Sequence, residues 1–146
     1  MKRYAIGIAS VVGILLAMYY INRPLQSKVE IGGHTFTTEV ALTEAQKGLG
    51  LGYRASLPLS SGMLFVYDHR EQYEFWMKGM QFPLDFIWID GTTVADITPN
   101  VPQPNQNESP AIVKPLVPVD KVFEVNAGTV SRLNIQIGDT VRFIDR

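Results

Sequence analysis

The stretch YEFWMKGMQFPLDFIWID, residues 73–90, contains both tryptophans of the chain and places a carboxylate inside an apolar run. Successive residues of a strand point to opposite faces. On that pattern one face carries Phe82, Leu84, Phe86 and Trp88, and the other carries Pro83, Asp85, Ile87 and Ile89. We therefore predict a core strand in which Asp85 is buried among apolar neighbours.

A buried Asp85 needs a partner, because burying a lone carboxylate costs several kcal/mol. Arg54 and Lys78 are cations that could pair with it. In the structural interpretation, an ion pair between Asp85 and one of these cations stabilises the fold. In the catalytic interpretation, Asp85 is a general acid or base. We favour the ion pair because neither a nucleophile nor a set of metal ligands accompanies Asp85.

The segment FWMK, residues 75–78, is the candidate ligand-binding surface. Trp76, Met77 and Lys78 could present a cation beside an aromatic ring and a thioether. Such a surface can hold an anion or a sugar-like ring by stacking and a charged hydrogen bond. In the alternative, Trp76 and Met77 fill the core and Lys78 extends into solvent.

Glu124 is a second candidate carboxylate. It shares one face of a predicted strand with Val122 and Asn126. It could act with Asp85 as the two carboxylates of a hydrolase. Carboxylates this far apart in sequence often occur by chance, so the signal is weak.

The composition is typical of one globular domain. The chain has 146 residues, of which 46% are hydrophobic and 18% are charged. Cysteine is absent, which excludes disulfides, thiol nucleophiles and thiolate metal sites. The two histidines, His34 and His69, lie far apart in sequence, so we expect no metal site and no cofactor.

Charge is unevenly distributed along the chain. Lys2, Arg3 and Arg23 lie in the first 26 residues, and all fourteen acidic residues follow them. The remainder has ten basic and fourteen acidic residues, a formal charge of −4. Because phosphate binding needs a basic face, we expect no nucleic-acid partner.

The N-terminal segment MKRYAIGIASVVGILLAMYYINRP, residues 1–24, is predicted to be a signal-anchor transmembrane helix. Its part from Tyr4 to Ile21 carries no charge and would span about 27 Å as a helix, close to the thickness of the bilayer core. Lys2 and Arg3 outweigh Arg23, which predicts a cytoplasmic N-terminus and an exported domain.

A cleaved signal peptide is the alternative, and it would give a secreted protein. Cleavage after Ala17 is the best candidate, but it puts Leu15 where a small residue is required. We therefore predict an uncleaved anchor at 1–24, a connector at 25–28 and an extracytoplasmic β-rich domain at 29–146.

The exported part is predicted to be mainly β. A hairpin at 28–42 turns at Gly32-Gly33, and Thr43 with Gln46 forms a capping box that starts one short helix. Further strands are predicted at 62–67, 73–78, 82–90, 92–97 and 121–130, and residues 133–144 are predicted as a strand, a Gly138-Asp139 turn and a last strand. A polar turn or loop is predicted at 68–72, and a long loop at 99–118 holds six of the nine prolines. The fold class is thus α+β with one short helix, as a small antiparallel β-barrel or sandwich-like domain.

Six ordered motifs resemble those of the domain-of-unknown-function family one hundred ninety-two, a group of uncharacterised, often membrane-associated bacterial and archaeal proteins. The motifs are GLGYR at 50–54, GMLF at 62–65, FWMKGM at 75–80, PLD at 83–85, EVNAG at 124–128 and GD at 138–139. The resemblance covers residues 29–143 and implies a small, mostly antiparallel β-fold. It implies no established activity.

The chain departs from the family pattern at three positions. Gly52 stands where the family has methionine, and Gly79 and Met80 stand where it has asparagine and threonine. If the family has a common site that uses these groups, the site is altered in this chain.

Three functions are compatible with these features. The leading hypothesis is a membrane-anchored domain that binds a small ligand or an envelope partner through Trp76 and Lys78. The second is a hydrolase or lyase that uses Asp85 with Lys78, Arg54 or Glu124. The third is an assembly domain whose contacts come from the anchor helix and a sheet edge.

Overall fold

The computed structural model describes residues 25–105 and 107–144, together with Gly13. The elements are β1 Leu25–Ile31, β2 His34–Ala41, α1 Glu44–Leu49, β3 Ser61–Glu71, β4 Phe75–Trp76, β5 Leu84–Asp90, β6 Thr93–Val101, β7 Ile112–Val113, β8 Val119–Asn126, α2 Thr129–Leu133 and β9 Val141–Ile144. None of the helices among these residues is long and apolar enough to cross a membrane. The predicted anchor, apart from Gly13, lies outside the described ranges.

Seven strands form one curled sheet in the order β6-β5-β8-β3-β2-β1-β9, and β4 pairs with β7 in a separate two-stranded sheet. All neighbours in the large sheet are antiparallel except β2 and β3, which are parallel. The sheet curls until Val94 of β6 bonds both Asp139 and Gly138 next to β9, at 2.9 and 2.8 Å. The predicted mainly β fold is confirmed as a half-barrel with two short helices in the described part.

The first hairpin follows from local sequence. Gly32 and Gly33 form its two-residue turn with φ values of 56° and 81°, which glycine adopts at little cost. The residues predicted as a connector, 25–28, form the start of β1 because they pair with residues 37–40 of β2. Thr43 and Gln46 form the predicted capping box at the start of α1.

Three local predictions are wrong. The polar residues 68–71 belong to β3, where Tyr73 stacks on Tyr67 at 3.6 Å between ring centroids and bonds the carbonyl of His69. The predicted strand at 73–78 is regular only over the two residues of β4. The third error falls after β8, where α2 replaces the end of the strand predicted at 121–130 and a loop replaces most of the strand predicted at 133–137. Only β9 is extended after α2.

β5 is buried on both faces, and the predicted alternation is confirmed. Phe86 and Trp88 join one apolar cluster, whereas Ile87 and Ile89 join another. The second cluster also holds Val94, Val141 and other residues from both ends of the sheet, so it fills the inside of the curl. The first cluster lies on the outer face of the sheet, where the segments at 51–57 and 75–80 cover it.

Asp85 projects to the inner face, where it accepts three backbone hydrogen bonds. Its Oδ1 receives the amides of Asn100 at 2.8 Å and Gly128 at 3.1 Å, and its Oδ2 receives that of Val130 at 2.9 Å. β6 carries an extra residue opposite Asp85, next to Pro99, which has no amide hydrogen for the ladder. The carboxylate thus accepts hydrogen bonds from the amide of Asn100 at this bulge and from the amides of Gly128 and Val130 at the start of α2.

The predicted ion pair between Asp85 and Arg54 or Lys78 is wrong. Arg54 bonds Glu39 instead, and Lys78 lies 5.2 Å from the centre of the Trp76 ring. Both cations belong to the outer face of the sheet, whereas Asp85 projects to the inner one. Three backbone amides donate hydrogen bonds to the Asp85 carboxylate in the folded chain, so it does not need a cation as its partner.

Asp85→Asn should lower the free energy of unfolding by about 2–4 kcal/mol, because a neutral amide loses the charge-assisted bonds and turns an N–H₂ group toward amide donors. Urea denaturation of the full chain measures this. Asp68→Asn, at an exposed position of β3, is the matched control and should change stability by less than about 0.5 kcal/mol. Equal stabilities of the two variants would contradict the role of Asp85.

Candidate functional site

Glu124 lies in a row of four residues that crosses four strands. Glu39 of β2 pairs with Met63 of β3, Met63 pairs with Glu124 of β8, and Glu124 pairs with Phe86 of β5. Directly paired residues share a face, so all four project to the outer side of the sheet. Arg54 lies over this row and donates to both oxygens of Glu39, at 2.6 and 2.9 Å.

The Glu124 carboxyl is buried and lacks a full set of partners. Only 5% of the residue is exposed, and within the described part of the chain its Oε2 has no hydrogen-bond partner. Burial raises the pKa of Glu124 to about 8, and the charge of Arg54 opposes that rise only in part. Glu124 is therefore mostly protonated at neutral pH and can donate a hydrogen bond.

A pocket of about 360 Å³ opens above Glu124. Its floor contains buried apolar side chains and Glu124, and its rim contains large apolar side chains that face solvent. The floor is formed by Leu51, Phe65, Phe75, Met80 and Glu124. The rim includes Leu49, Trp76 and Ile112, which are 59%, 55% and 65% exposed. Exposed apolar groups around a concave site are typical of a binding surface.

Loops on either side of the pocket are tied to each other by backbone bonds. The amide of Tyr53 donates to the carbonyl of Gly79 at 2.8 Å, and the amide of Met77 donates to that of Ala111 at 2.9 Å. Gly79 has a φ of 73°, and the Tyr53 ring would lie 2.9 Å from any β-carbon added there. A residue with a side chain at position 79 would therefore disturb this contact.

The three departures from the family pattern all lie at or beside the pocket. Gly52 and Met80 line it, and Gly79 lies under Tyr53 at its edge. A β-carbon at Gly52 would come within 2.9 Å of the carbonyl of Leu49. The backbone at Gly52 thus lies too close to that of Leu49 for a β-carbon unless the chain shifts locally.

Two lysines bring positive charge to the pocket. Lys47 Nζ lies 3.2 Å from Glu44 Oε1 and 4.3 Å from the centre of the Tyr67 ring, so its charge is already paired. Lys78 lies over the edge of the site beside Trp76 and has no carboxylate within salt-bridge distance among the residues that the structure describes. Lys78 is therefore available to pair with an anionic ligand.

The structure brings together some of the predicted site residues and separates others. Trp76, Lys78 and Glu124 line the pocket, Arg54 lies beside it, and Met77 is fully buried. Asp85 is apart from all of them: in the register of β5 and β8, Phe86 pairs with Glu124 whereas Asp85 pairs with Val125. Asp85 and Glu124 therefore project to opposite faces and do not form a catalytic pair.

Several pocket residues were missed from the sequence, including Lys47, Leu49, Tyr67 and Ile112. The glycines at 48, 50 and 52 indicate a segment whose backbone can approach another part of the chain closely. This pattern could have pointed to residues 47–52 as part of the pocket wall. Ile112 lies in the proline-rich segment, where no periodic pattern indicates which residues contact the domain.

Between pH 5 and pH 8 the stability of the wild-type chain should fall relative to Glu124→Gln. The folded chain retains a proton on Glu124 up to about pH 8, whereas the unfolded chain releases it near the ordinary value of 4.5. The contribution of this group to the free energy of unfolding is fully present below pH 4.5. It is lost as the pH rises from 4.5 to 8, by up to about 1.4 kcal/mol per pH unit. Urea denaturation across this range measures the difference. A constant difference would contradict the raised pKa.

Two solved structures resemble this chain over most of its length. One is a protein of Sinorhizobium meliloti 1021 described as a candidate transcription regulator, with 33% identity, a TM-score of 0.75 and coverage of 83% of this chain and 95% of that one. The other, from Novosphingobium aromaticivorans DSM 12444, is described as a protein of unknown function, with 31% identity, a TM-score of 0.70 and coverage of 82% and 84%.

No curated protein matches the chain. The family model of DUF192, described as an uncharacterised ACR, matches residues 27–143. That range contains all of the large sheet except Leu25, Gln26 and Ile144, and it contains every residue of the pocket. The chain therefore belongs to the uncharacterised family DUF192.

Proposed function

We propose that this protein binds a small molecule in the pocket above Glu124. The observation that carries the proposal is an open pocket whose floor contains the buried carboxyl of Glu124, one oxygen of which has no hydrogen-bond partner within the described residues. An unpaired buried polar atom destabilises the fold by about 1–3 kcal/mol. A ligand that forms a hydrogen bond with this atom would remove that cost, and this would strengthen binding.

The shape of the pocket supports a small ligand rather than an envelope protein. A volume of about 360 Å³ lies at the lower end of the range of small-molecule sites, roughly 300–1,000 Å³. Glu124 lies at the floor, where the flat surface of a protein partner does not reach. The exposed ring of Trp76 can stack on a ligand that enters.

Thermal-shift and tryptophan-fluorescence screening of the full chain against a library of small metabolites tests the proposal. We expect binders that quench Trp76 and raise the melting temperature by mass action. Trp76→Ala should weaken them about tenfold, because loss of a stacked ring costs about 1.4 kcal/mol. Leu59→Ala, at an exposed apolar residue outside the pocket, is the control and should leave affinity unchanged.

An absence of binders across the library would contradict the proposal. Binders that are equally weakened by both variants would also contradict it, because they would act outside the pocket. A protein partner that survives Trp76→Ala would favour the envelope-partner alternative instead.

We further propose that residues 1–24 anchor the domain on the outer side of the cytoplasmic membrane. The uncharged segment from Tyr4 to Ile21 and the basic residues before it support this location. Alkaline carbonate extraction followed by intact-mass measurement should recover the complete chain in the membrane fraction. Recovery of a shortened chain in the soluble fraction would instead indicate signal cleavage and secretion.

A further inference from the structure

We propose that the ligand of this pocket is a flat, mostly apolar acid: a ring with one anionic group at its outer end and one hydrogen-bonding oxygen at its inner end. This inference deepens the proposed function and rests on it. Three features of the pocket carry it: the scarcity of polar groups on the floor, the charges at the mouth and the shape of the rim.

The buried side chains of the floor offer few hydrogen-bonding groups. Leu51, Phe65, Phe75 and Met80 contribute apolar surface, and Glu124 contributes a carboxyl whose buried Oε2 has no hydrogen-bond partner in the described part of the chain. A sugar would bring several hydroxyls into this space, and each hydroxyl without a partner costs about 1–3 kcal/mol. One oxygen at the inner end of an apolar ring matches what Glu124 can satisfy.

The charges that face the pocket favour an anion at the mouth. Lys47 of α1 is paired with Glu44, and Arg54 beside the pocket is paired with Glu39. Burial holds Glu124 of β8 mostly neutral at pH 7, since its pKa is raised to about 8. These groups therefore leave little net charge at the floor.

Two charged residues of the mouth remain. Lys78, which follows β4 in the chain, has no carboxylate partner among the described residues. Glu74, which precedes β4, is exposed. A ligand cation could meet only Glu74, and a ligand anion could meet Lys78; both side chains are exposed. Lys78 Nζ lies 5.2 Å from the centre of the Trp76 ring, so an anion paired with it would lie beside that ring and the apolar rim, which favours an acid on an apolar ligand.

The rim favours a flat ring. Trp76 and Ile112 are direct partners in the two-stranded sheet of β4 and β7, so their side chains lie side by side and form one apolar ledge. Both are more than half exposed. A planar ring covers such a ledge and stacks on Trp76, with its acidic group next to Lys78.

The test uses four probes on the full chain at pH 6.5, with affinities measured by calorimetry. 4-Hydroxybenzoate has the proposed chemistry, 4-hydroxybenzyl alcohol lacks the anion, tyramine carries a cation, and glucuronate keeps the acid on a polyhydroxylated ring. We expect 4-hydroxybenzoate to bind at least tenfold more tightly than each of the other three.

Two variants locate the acidic group. Lys78→Gln should weaken 4-hydroxybenzoate at least fivefold and leave 4-hydroxybenzyl alcohol within twofold. Lys114→Gln, at an exposed lysine outside the pocket, is the matched control and should change neither.

Other outcomes overturn the inference. Equal or tighter binding of the alcohol, the amine or the sugar acid would contradict the proposed chemistry while leaving small-molecule binding intact. Failure of all four probes at millimolar concentration would also contradict it, and the library screen against Trp76 would then show separately whether the pocket binds any small molecule. Loss of 4-hydroxybenzoate binding in both lysine variants would place the acid outside the pocket.

Discussion

The Asp85 carboxylate and the three backbone amides it accepts organise the centre of this structure. The bulge in β6 leaves the amide of Asn100 without a ladder partner, and the amides of Gly128 and Val130 lie at the start of α2, where amides have no partner within the helix. One side chain accepts all three of these bonds. It thereby fixes the end of β6 and the chain after β8 against β5, the strand that both apolar clusters share.

This arrangement determines where the candidate site can lie. With the inner face filled by apolar side chains and by Asp85, the space for a ligand lies on the outer face. There Glu124 projects from the strand next to β5, under loops that β4 and β7 hold in place. The two conspicuous carboxylates of the chain thus have separate environments. Backbone amides satisfy Asp85, whereas one oxygen of Glu124 has no hydrogen-bond partner among residues 25–105 and 107–144.

Much of the fold could be predicted from sequence because its signals are local. The glycine pair of the first hairpin, the capping box of α1 and the two-residue period of β5 each depend on neighbours in the chain. The family was recognised from ordered motifs for the same reason. Trp76, Lys78 and Glu124 were singled out from the sequence, and the pocket brings them together.

The remaining features depend on contacts between distant segments. Nothing near Asp85 in sequence indicates that its partners are amides at positions 100, 128 and 130, so cations were assigned to it instead. α2 was predicted as part of a strand because its short sequence carries no cap of its own. The loops that form the pocket walls have no periodicity, and their positions follow from long-range bonds such as that of Tyr53 to Gly79.

The central claim is that Glu124 is a desolvated, unpaired acid at the floor of an open pocket. Carbon-13 NMR titration of its side-chain carboxyl in the folded protein tests this claim most directly. A midpoint near pH 8 is the result that the structure predicts. A midpoint near the ordinary value of 4.5 would show that the carboxyl is solvated or paired, and it would contradict the assignment of Glu124 as the floor of the site.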